Sequence, residues 1–394
     1  MSKEIKTNPL SIAEIIPKKT GVRIFLVWLI TCLFIVFGGS LLGGSMSIAI
    51  AVTAFIILLI TIIGAAFGIL KEADELAHKL GEPYGTLILT LSIVSIEAIM
   101  ISAVMLGPGE NPTIGKDSIF SVMMIIMNLF VGICILIGGF RFGEQEYNTQ
   151  GTISYLGMIV MLGGIALVLP NFVDPAGSGE FTAIQAVVIS VLVVILYGFF
   201  LFLQMKRYKH IYLQPKRGTL EIPFRHRKLH DNIKSEDTTI RKDGKREILI
   251  RSLLLIIMVV PIVLLSHNLA VVVDYGLVKT NLPPLLGGLL IAIIVFTPES
   301  LTALKAAAKR KEFQRAINLC HGALVSTLGL TVPSVLIIGL ITGKTVLFGM
   351  TPIETVLFVI TMLLSTMSFL GKRITPIFGI MHLVLFAVFV LLIF

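Results

Sequence analysis

The sequence is poor in charge, in cysteine and in nucleotide-binding motifs. Only 14% of its 394 residues are charged, 56% are apolar and the mean hydropathy is +0.96, which excludes an ordinary soluble domain. Its cysteines are scattered single thiols at positions 32, 134 and 320, which argues against a site for a soft metal. The chain contains no P-loop, so ATP is not expected as an energy source, and no cofactor is expected.

The apolar residues form runs that are long enough to cross a bilayer. At roughly 20 residues per crossing, the pattern predicts an all-α polytopic membrane protein with about 11 transmembrane helices. Only the Gly-rich stretch GGSLLGGS separates the first two runs, so ten crossings are the alternative. The predicted spans are 24–44, 46–70, 84–106, 118–140, 152–170, 182–205, 248–272, 283–304, 315–342, 352–370 and 374–394.

The basic residues predict how the chain lies in the membrane. If the N-terminus is cytoplasmic, all but three of the 32 Lys and Arg residues fall on the cytoplasmic side, as the positive-inside rule requires. The three exceptions are Lys116, Lys279 and Lys344. The C-terminal Phe394 should then emerge outside. Glu72 and Glu75 should lie in an acidic cytoplasmic loop, which could also concentrate cations at the inner mouth. A basic segment precedes the first apolar run, and no cleavage site follows it. The run therefore predicts a retained helix.

A basic stretch at 206–247 divides the chain into two halves of five helices that enter the membrane from opposite sides. Many secondary transporters are inverted repeats of this kind, with the site at the midplane between the repeats. The predicted organisation is residues 1–45, a cytoplasmic N-terminus and a peripheral helix; 46–205, the first repeat; 206–247, a cytoplasmic linker; and 248–394, the second repeat. The linker shows no nucleic-acid-binding module, and attraction to the anionic inner leaflet explains its charge more simply.

Two carboxylates lie inside apolar runs, Glu97 in SIVSIEAIM and Glu299 in IVFTPESL. A carboxylate at bilayer depth is costly unless it is protonated, paired or facing water, so such residues are functional candidates. Each follows a hydroxyl in the pattern [Ser/Thr]-x-Glu, with Ser95 and Thr297 as possible ligands, and each lies in the second helix of its half. Because those helices run in opposite directions, the carboxylates can meet. A protonated, purely structural hydrogen bond is the alternative role.

Other polar residues extend the candidate site. Pro298 has no N–H and should loosen its helix, so freed carbonyls, hydroxyls and carboxylates offer the all-oxygen set that Ca²⁺ prefers. Ser121, Asn128 and Ser326 could supply ligands or line the pathway, although interhelical hydrogen bonds are at least as common a role. His321 titrates near physiological pH and could relay protons, or it could be a packing histidine.

Two long segments carry a resemblance to a known family. ELAHKLGEPYGTLILTLSIVSIEAIMISAVML and FTPESLTALKAAAKRKEFQRAINLCHGALVSTLGLTVPSVLIIGL resemble the two α-repeats of the calcium/proton antiporters, within the cation/calcium exchanger superfamily. The likeness is greatest to the bacterial branch of sodium-potassium/proton and calcium/proton antiporters, and it extends from about residue 20 except for the linker. It implies eleven helices, one peripheral plus two inverted five-helix repeats, in a bacterial inner membrane. It also implies that Glu97 and Glu299 bind the cation.

The chain departs from the commoner family pattern at three places. Ile93-Val94 and Val295-Phe296 stand where Gly-Asn usually precedes each acidic residue, and Ser326 stands in place of a glutamine. The site therefore offers fewer side-chain oxygens than is usual, and strict selectivity for Ca²⁺ does not follow from the resemblance.

The sequence thus predicts an antiporter that exchanges cytoplasmic Ca²⁺ for external H⁺ through a shared two-glutamate site by alternating access. Without the cation, repulsion and desolvation disfavour two ionised carboxylates, so protons replace it. The alternative is Na⁺ or K⁺/H⁺ antiport with little Ca²⁺ activity. A membrane-embedded enzyme would need an Asp-rich, Ser–His or HExxH motif at depth, which the chain lacks, and a channel needs no paired titratable carboxylates. The expected partners are the lipid bilayer, cations and protons, and no nucleic acid.

Overall fold

In the computed structural model the chain is almost entirely helical. The structure describes residues 17–43, 46–80, 84–106, 112–173, 177–215, 242–309 and 312–394. The predicted N-terminal segment up to residue 16 and most of the predicted linker, residues 216–241, lie outside the described residues. The helices are α1 (Lys18–Leu41), α2 (Ile48–Leu80), α3 (Tyr84–Met105), α4 (Ile114–Phe142), α5 (Thr149–Asn171), α6 (Ala183–Met205), α7 (Lys242–Thr280), α8 (Leu285–Ala307), α9 (Phe313–Thr342), α10 (Pro352–Ser368) and α11 (Pro376–Ile393).

The helix count confirms the predicted class. Nine helices of the described ranges are long and apolar enough to cross a membrane. The other two are α10, with 17 residues, and α3, whose apolar stretch is Leu91–Met105. Because α1 ends at Leu41 and α2 begins at Ile48, these are separate helices and the ten-crossing alternative is wrong.

Local sequence signals fix several helix ends. α6 and α10 begin with capping boxes, in which Thr182 and Thr351 exchange side-chain and backbone hydrogen bonds with the residue three positions on. These bonds satisfy N–H groups that have no partner within the helix. Pro352, whose ring fixes φ and lacks an N–H, suits the first position of α10. Gly343 ends α9 with φ of 67°, a left-handed conformation that favours glycine.

The helices pack as two inverted sets of five. α3 of the first half contacts α9 of the second, and α8 of the second contacts α4 of the first. In the same way α6 lies against α9, and α11 lies against α4. α1 packs on the long pair α2 and α7 at the periphery. The strands β1 (Gln145–Glu146) and β2 (Arg373–Ile374) pair antiparallel and join the end of α4 to the start of α11.

The sequence predicts that the acidic residues after the second span lie in a loop, but the structure places them in a helix. α2 continues to Leu80, and Glu72 is only 1% exposed. Arg251 of α7 explains the difference, because its guanidinium lies 2.8 Å from Glu72 and 3.1 Å from Glu247. A buried carboxylate is tolerated when it is paired, and only the fold could show that an arginine distant in sequence provides the pair.

A second buried ion pair joins the first turns of α4 and α10. Lys116 lies in the first turn of α4, and its ammonium group is 2.9 Å from Glu354 and 3.1 Å from Asp117. α8 approaches the same turn closely, because a Cβ atom on Gly288 would lie 2.6 Å from the backbone at Asp117 and Ser118. The start of α4 is therefore held by charge pairing on one side and by helix contact on the other.

Candidate cation site

Glu97 is buried on α3 and is partly satisfied by α9. Its Oε2 atom accepts hydrogen bonds from the Thr327 hydroxyl at 2.7 Å and from the Thr331 hydroxyl at 2.9 Å. Its Oε1 atom is also buried but has no hydrogen-bond partner among the residues that the structure describes. A buried polar atom without a partner is costly, so this oxygen is a place where a cation or a proton would be stabilised.

The two threonines lie at the ends of a π-helical turn in α9. Within Thr327–Thr331 the helix widens, and the Val332 N–H donates to the carbonyl five residues earlier. Pro333 follows directly and cannot donate to the carbonyl of Gly329, which explains why the regular α pattern is interrupted there. Such π turns in α-helices are frequently found at functional sites.

Glu299 lies on α8 and is half-buried. Its Oε2 atom is enclosed and, within the described part of the chain, has no hydrogen-bond partner. α8 contacts α3, and the Glu299 carboxylate interacts electrostatically with that of Glu97. The structure therefore brings together the two glutamates that the sequence singled out.

A cavity of about 350 Å³ reaches Glu299 from one side of the molecule. It opens where α6 ends and α9 begins, because Lys209 and the 56% exposed Arg315 lie along it. We call this the linker side, since Lys209 lies in the segment that follows α6. Its polar lining includes Tyr155, Tyr197, Gln204, Tyr212, Asn318 and Ser326. Ser326 lines this cavity, and the Tyr197 hydroxyl contacts Ser326 and interacts electrostatically with Glu299.

The hydroxyls of the [Ser/Thr]-x-Glu pattern are bonded within their own helices. Ser95 is exposed and donates to the Leu91 carbonyl at 2.6 Å, and Thr297 donates to the Ile293 carbonyl at 2.5 Å. Residues two positions apart on a helix do not face the same side. Ser95 and Thr297 each stand two positions before a glutamate, so each hydroxyl lies on a different face of the helix from that glutamate. α8 also runs through Pro298 without a break. A ligand role for these two hydroxyls would therefore need a change of conformation.

The remaining predicted residues lie between helices. Asn128 is on α4, where its amide donates to Thr361 at 3.0 Å and its Oδ1 faces His382 Nδ1 at 3.1 Å. This amide bridges three helices, which is the alternative role that the sequence left open. Ser121 is fully buried with a hydroxyl that has no partner. His321 is fully buried, and its Nδ1 bonds a carbonyl one turn earlier in α9 at 3.0 Å.

Sequence reasoning missed the residues that contact Glu97 directly. Thr327 and Thr331 are spaced four apart in the apolar stretch LVSTLGLTVP, which was the only available signal. Hydroxyls in helices commonly bond their own backbone, so the spacing alone could not identify them. Within the described ranges no group of three or more His, Cys, Asp and Glu side chains could hold a metal ion. Around Glu97 the neighbouring oxygens are supplied instead by the hydroxyls of Thr327 and Thr331.

Comparison with known proteins identifies close relatives. Residues 50–206 and 251–394 match the family described as sodium/calcium exchanger protein. The chain is 32% identical to the sodium-potassium/proton antiporter ChaA of Escherichia coli (strain K12), over 89% of this chain and 92% of ChaA. It is 30% identical to the putative ionic transporter y4hA of Sinorhizobium fredii, over 84% of this chain and 85% of that protein.

Solved structures share the fold at lower identity. The Ca²⁺/H⁺ antiporter protein YfkE is 17% identical with a TM-score of 0.66, covering 95% of this chain and 99% of YfkE. The H⁺/Ca²⁺ exchanger CAX is 12% identical with a TM-score of 0.65, covering 95% of this chain and 89% of CAX. These likenesses support the architecture described above.

Proposed function

The chain belongs to the sodium/calcium exchanger protein family, and we propose that it exchanges cytoplasmic Ca²⁺ for external H⁺ at Glu97 and Glu299. As a member of that family it is a membrane antiporter that moves cations across a lipid bilayer, not an enzyme. One observation carries the finer proposal. Two carboxylates from opposite halves interact with each other, and each has a buried oxygen without a partner.

The charge balance of this pair supports antiport. An ionised carboxylate that is buried without a partner is strongly disfavoured, so each glutamate is stable when it holds a proton or shares a cation. A divalent cation offsets both charges at once, whereas two protons neutralise them when the cation is absent. Because an empty, doubly charged site is costly to expose to the membrane interior, the fluxes of cation and protons are coupled.

The cavity supports a proposal about the side from which the site is reached in this conformation. It opens on the linker side, which the distribution of Lys and Arg predicts to be cytoplasmic. Glu299 faces this cavity, while Glu97 is held behind it by the two threonines of α9. We therefore propose that the structure represents the state open to the cytoplasm, in which Glu299 meets the incoming cation first.

A second candidate function is antiport of Na⁺ or K⁺ against H⁺ with little Ca²⁺ activity. The relative that is 32% identical carries the name sodium-potassium/proton antiporter. The sequence is also short of side-chain oxygens there, because the places before each glutamate are apolar. The hydrogen bonds to Glu97 that the described residues provide come from two threonine hydroxyls. For a monovalent cation, one glutamate would remain protonated while the other is ionised.

Transport by the purified protein distinguishes these functions. The protein would be reconstituted into vesicles with an imposed pH gradient, and internal pH would be followed after Ca²⁺, Na⁺ or K⁺ is added separately. Proton movement on adding Ca²⁺ is expected. Proton movement with Na⁺ or K⁺ alone would establish the second candidate, and cation flux that cannot drive protons uphill would indicate a channel and reject both.

Removing a threonine hydroxyl from the Glu97 contact should weaken cation binding. Thr327→Val and Thr331→Val keep the side-chain shape but leave Glu97 Oε2 with one donor. A hydrogen bond to a charged group contributes about 1.5–3 kcal/mol, so each variant should lower the apparent cation affinity by at least about tenfold. Thr53→Val is the matched control, because that hydroxyl bonds only its own helix. Unchanged affinity in both site variants would exclude these threonines from the site.

The apparent cation affinity should fall as the medium is acidified. Cation and protons compete for the same two carboxylates, so each step toward acid increases the fraction of sites already held by protons. The maximal rate need not fall in parallel, because protons are also the counter-substrate. Rates measured against cation concentration at a series of pH values test this prediction. An affinity that stays constant from mildly alkaline to mildly acidic medium would mean that protons bind elsewhere.

A further inference from the structure

We propose that His321, Ser365, Ser368 and His382 form a water-linked proton relay, separate from the glutamates, and that Asn128 orients His382 within it. These side chains come from α4, α9, α10 and α11, and all are buried. The proposal rests on the proposed function, since it assumes that protons are the counter-substrate. It assigns Asn128 to orienting His382 and not to the cation site, because the Asn128 amide is already engaged by Thr361 and His382.

The hydrogen bonds around His382 fix one of its protons. The Asn128 amide donates to Thr361, so its Oδ1 is the atom facing His382 Nδ1 at 3.1 Å. A carbonyl oxygen can only accept, and Nδ1 must therefore carry a hydrogen. The second nitrogen, Nε2, lies 3.1 Å from the Ser368 hydroxyl.

The Ser368 hydroxyl cannot satisfy all its neighbours while His382 is neutral. Its single hydrogen faces two acceptors, the Leu364 carbonyl at 2.8 Å and His382 Nε2. If a proton is added to Nε2, this nitrogen donates to the Ser368 oxygen while the hydroxyl donates to the carbonyl, and every bond is made. The geometry therefore provides one place for an extra proton, and the desolvation of the imidazolium limits how long it remains.

The relay continues towards His321 through two unpartnered atoms. His321 donates through Nδ1 to its own helix, so its Nε2 is an acceptor, and this atom is buried without a partner. The Ser365 hydroxyl is likewise buried without a partner. The His321 ring packs on Phe369 with centroids 5.3 Å apart, and Phe369 lies one helical turn after Ser365. Buried water commonly bridges such groups.

The relay reaches the wall of the cavity at one end. The His321 ring lies beside that of Tyr155, with centroids 6.3 Å apart, and Tyr155 lines the cavity. At the other end is His382, which Asn128 orients from a π-helical turn of α4, Ile125–Phe130, that packs against α8, the helix that carries Glu299. Among the described residues, His382 interacts electrostatically with the titratable His321. Protons could thus pass between the linker side and His382, beside the helices around the site.

Measuring two kinds of exchange distinguishes a proton relay from a purely structural packing role of these residues. Cation/proton exchange needs the relay, whereas exchange of labelled for unlabelled cation across vesicles at equal pH needs only the glutamates. His382→Gln and His321→Gln keep a polar side chain of similar reach that cannot carry an extra proton. We expect each to slow cation/proton exchange by at least about tenfold and to leave cation/cation exchange unchanged. Ser190→Ala, which removes a buried unpartnered hydroxyl on α6, is the control.

The other outcomes overturn the proposal in distinguishable ways. If the histidine variants slow both modes equally, these residues support the structure of the cation site, and thermal stability in detergent would show whether folding is the cause. If neither mode changes, the cluster is simply interhelical packing. If the wild-type protein exchanges cation for cation but moves no protons with Ca²⁺, Na⁺ or K⁺, the proposed function fails and the relay fails with it.

Discussion

Replacing either Glu97 or Glu299 by glutamine is expected to abolish cation/proton exchange. Glutamine has nearly the same shape, but it can neither offset the charge of a cation nor release a proton. Because the two carboxylates form one interacting pair, the remaining glutamate should not retain half of the activity. A neutral amide is also easier to bury than a carboxylate, so the variants should be at least as stable as the wild type.

Three measurements are needed for these variants: expression in the membrane, thermal stability in detergent, and proton movement in vesicles after the cation is added. Glu144→Gln is the matched control, because it makes the same chemical change at a side chain that is 53% exposed and paired with Arg373. We expect wild-type exchange in the control and none in the site variants. A site variant that exchanges at a rate close to that of the wild type would disprove the shared-site mechanism.

Gly288→Ala is expected to prevent correct assembly of α8 on α4. The added methyl group would lie 2.6 Å from backbone atoms of Asp117 and Ser118, and backbone cannot turn aside as a flexible side chain can. Overpacking of this kind typically costs about 1–3 kcal/mol or more. Because α8 also carries Glu299, displacement of the helix should reduce transport as well as stability.

The comparison variant for this test is Gly157→Ala, at a helical glycine of α5 with nothing within 4 Å of the added Cβ atom. Alanine has the higher helix propensity of the two residues, so this change should be neutral or slightly stabilising. Thermal unfolding of both purified proteins, together with their yield in the membrane, measures the difference. Equal unfolding temperatures for Gly288→Ala and the wild type would show that the α4–α8 contact is looser than described.

The sequence predicted the broad architecture and the meeting of the two glutamates, because both follow from polarity along the chain. Apolar runs determine the helices, and a carboxylate within a run is conspicuous wherever the chain folds. The sequence did not predict the partners of buried charges. Glu72 was expected in a solvated loop, yet Arg251, 179 residues away, pairs with it. Such a pairing depends on helix packing, which no local pattern specifies.

The side chains that contact the glutamates could not be predicted for a related reason. The hydroxyls beside each glutamate in sequence, Ser95 and Thr297, are turned to other faces of their helices, while Thr327 and Thr331 approach Glu97 from another half of the chain. Asn128 could equally have been a ligand or an interhelical bridge when judged from its position alone. Which of these roles a side chain has depends on its direction about the helix axis. Because these helices are apolar on every face, the sequence does not show which face points towards the site.

The hydrogen bonds of Glu97 have a consequence for how the protein is made. Its donor Thr327 follows 230 residues later in the chain, and at roughly 5–20 residues per second the ribosome needs about ten to fifty seconds to reach it. During that interval α3 is in the membrane without the hydroxyls that will stabilise its carboxylate. The nascent helix is therefore expected to insert with Glu97 protonated, and the ability to ionise would be acquired only when the last helices arrive. The ion-binding chemistry is a property of the finished chain that its first half cannot possess alone.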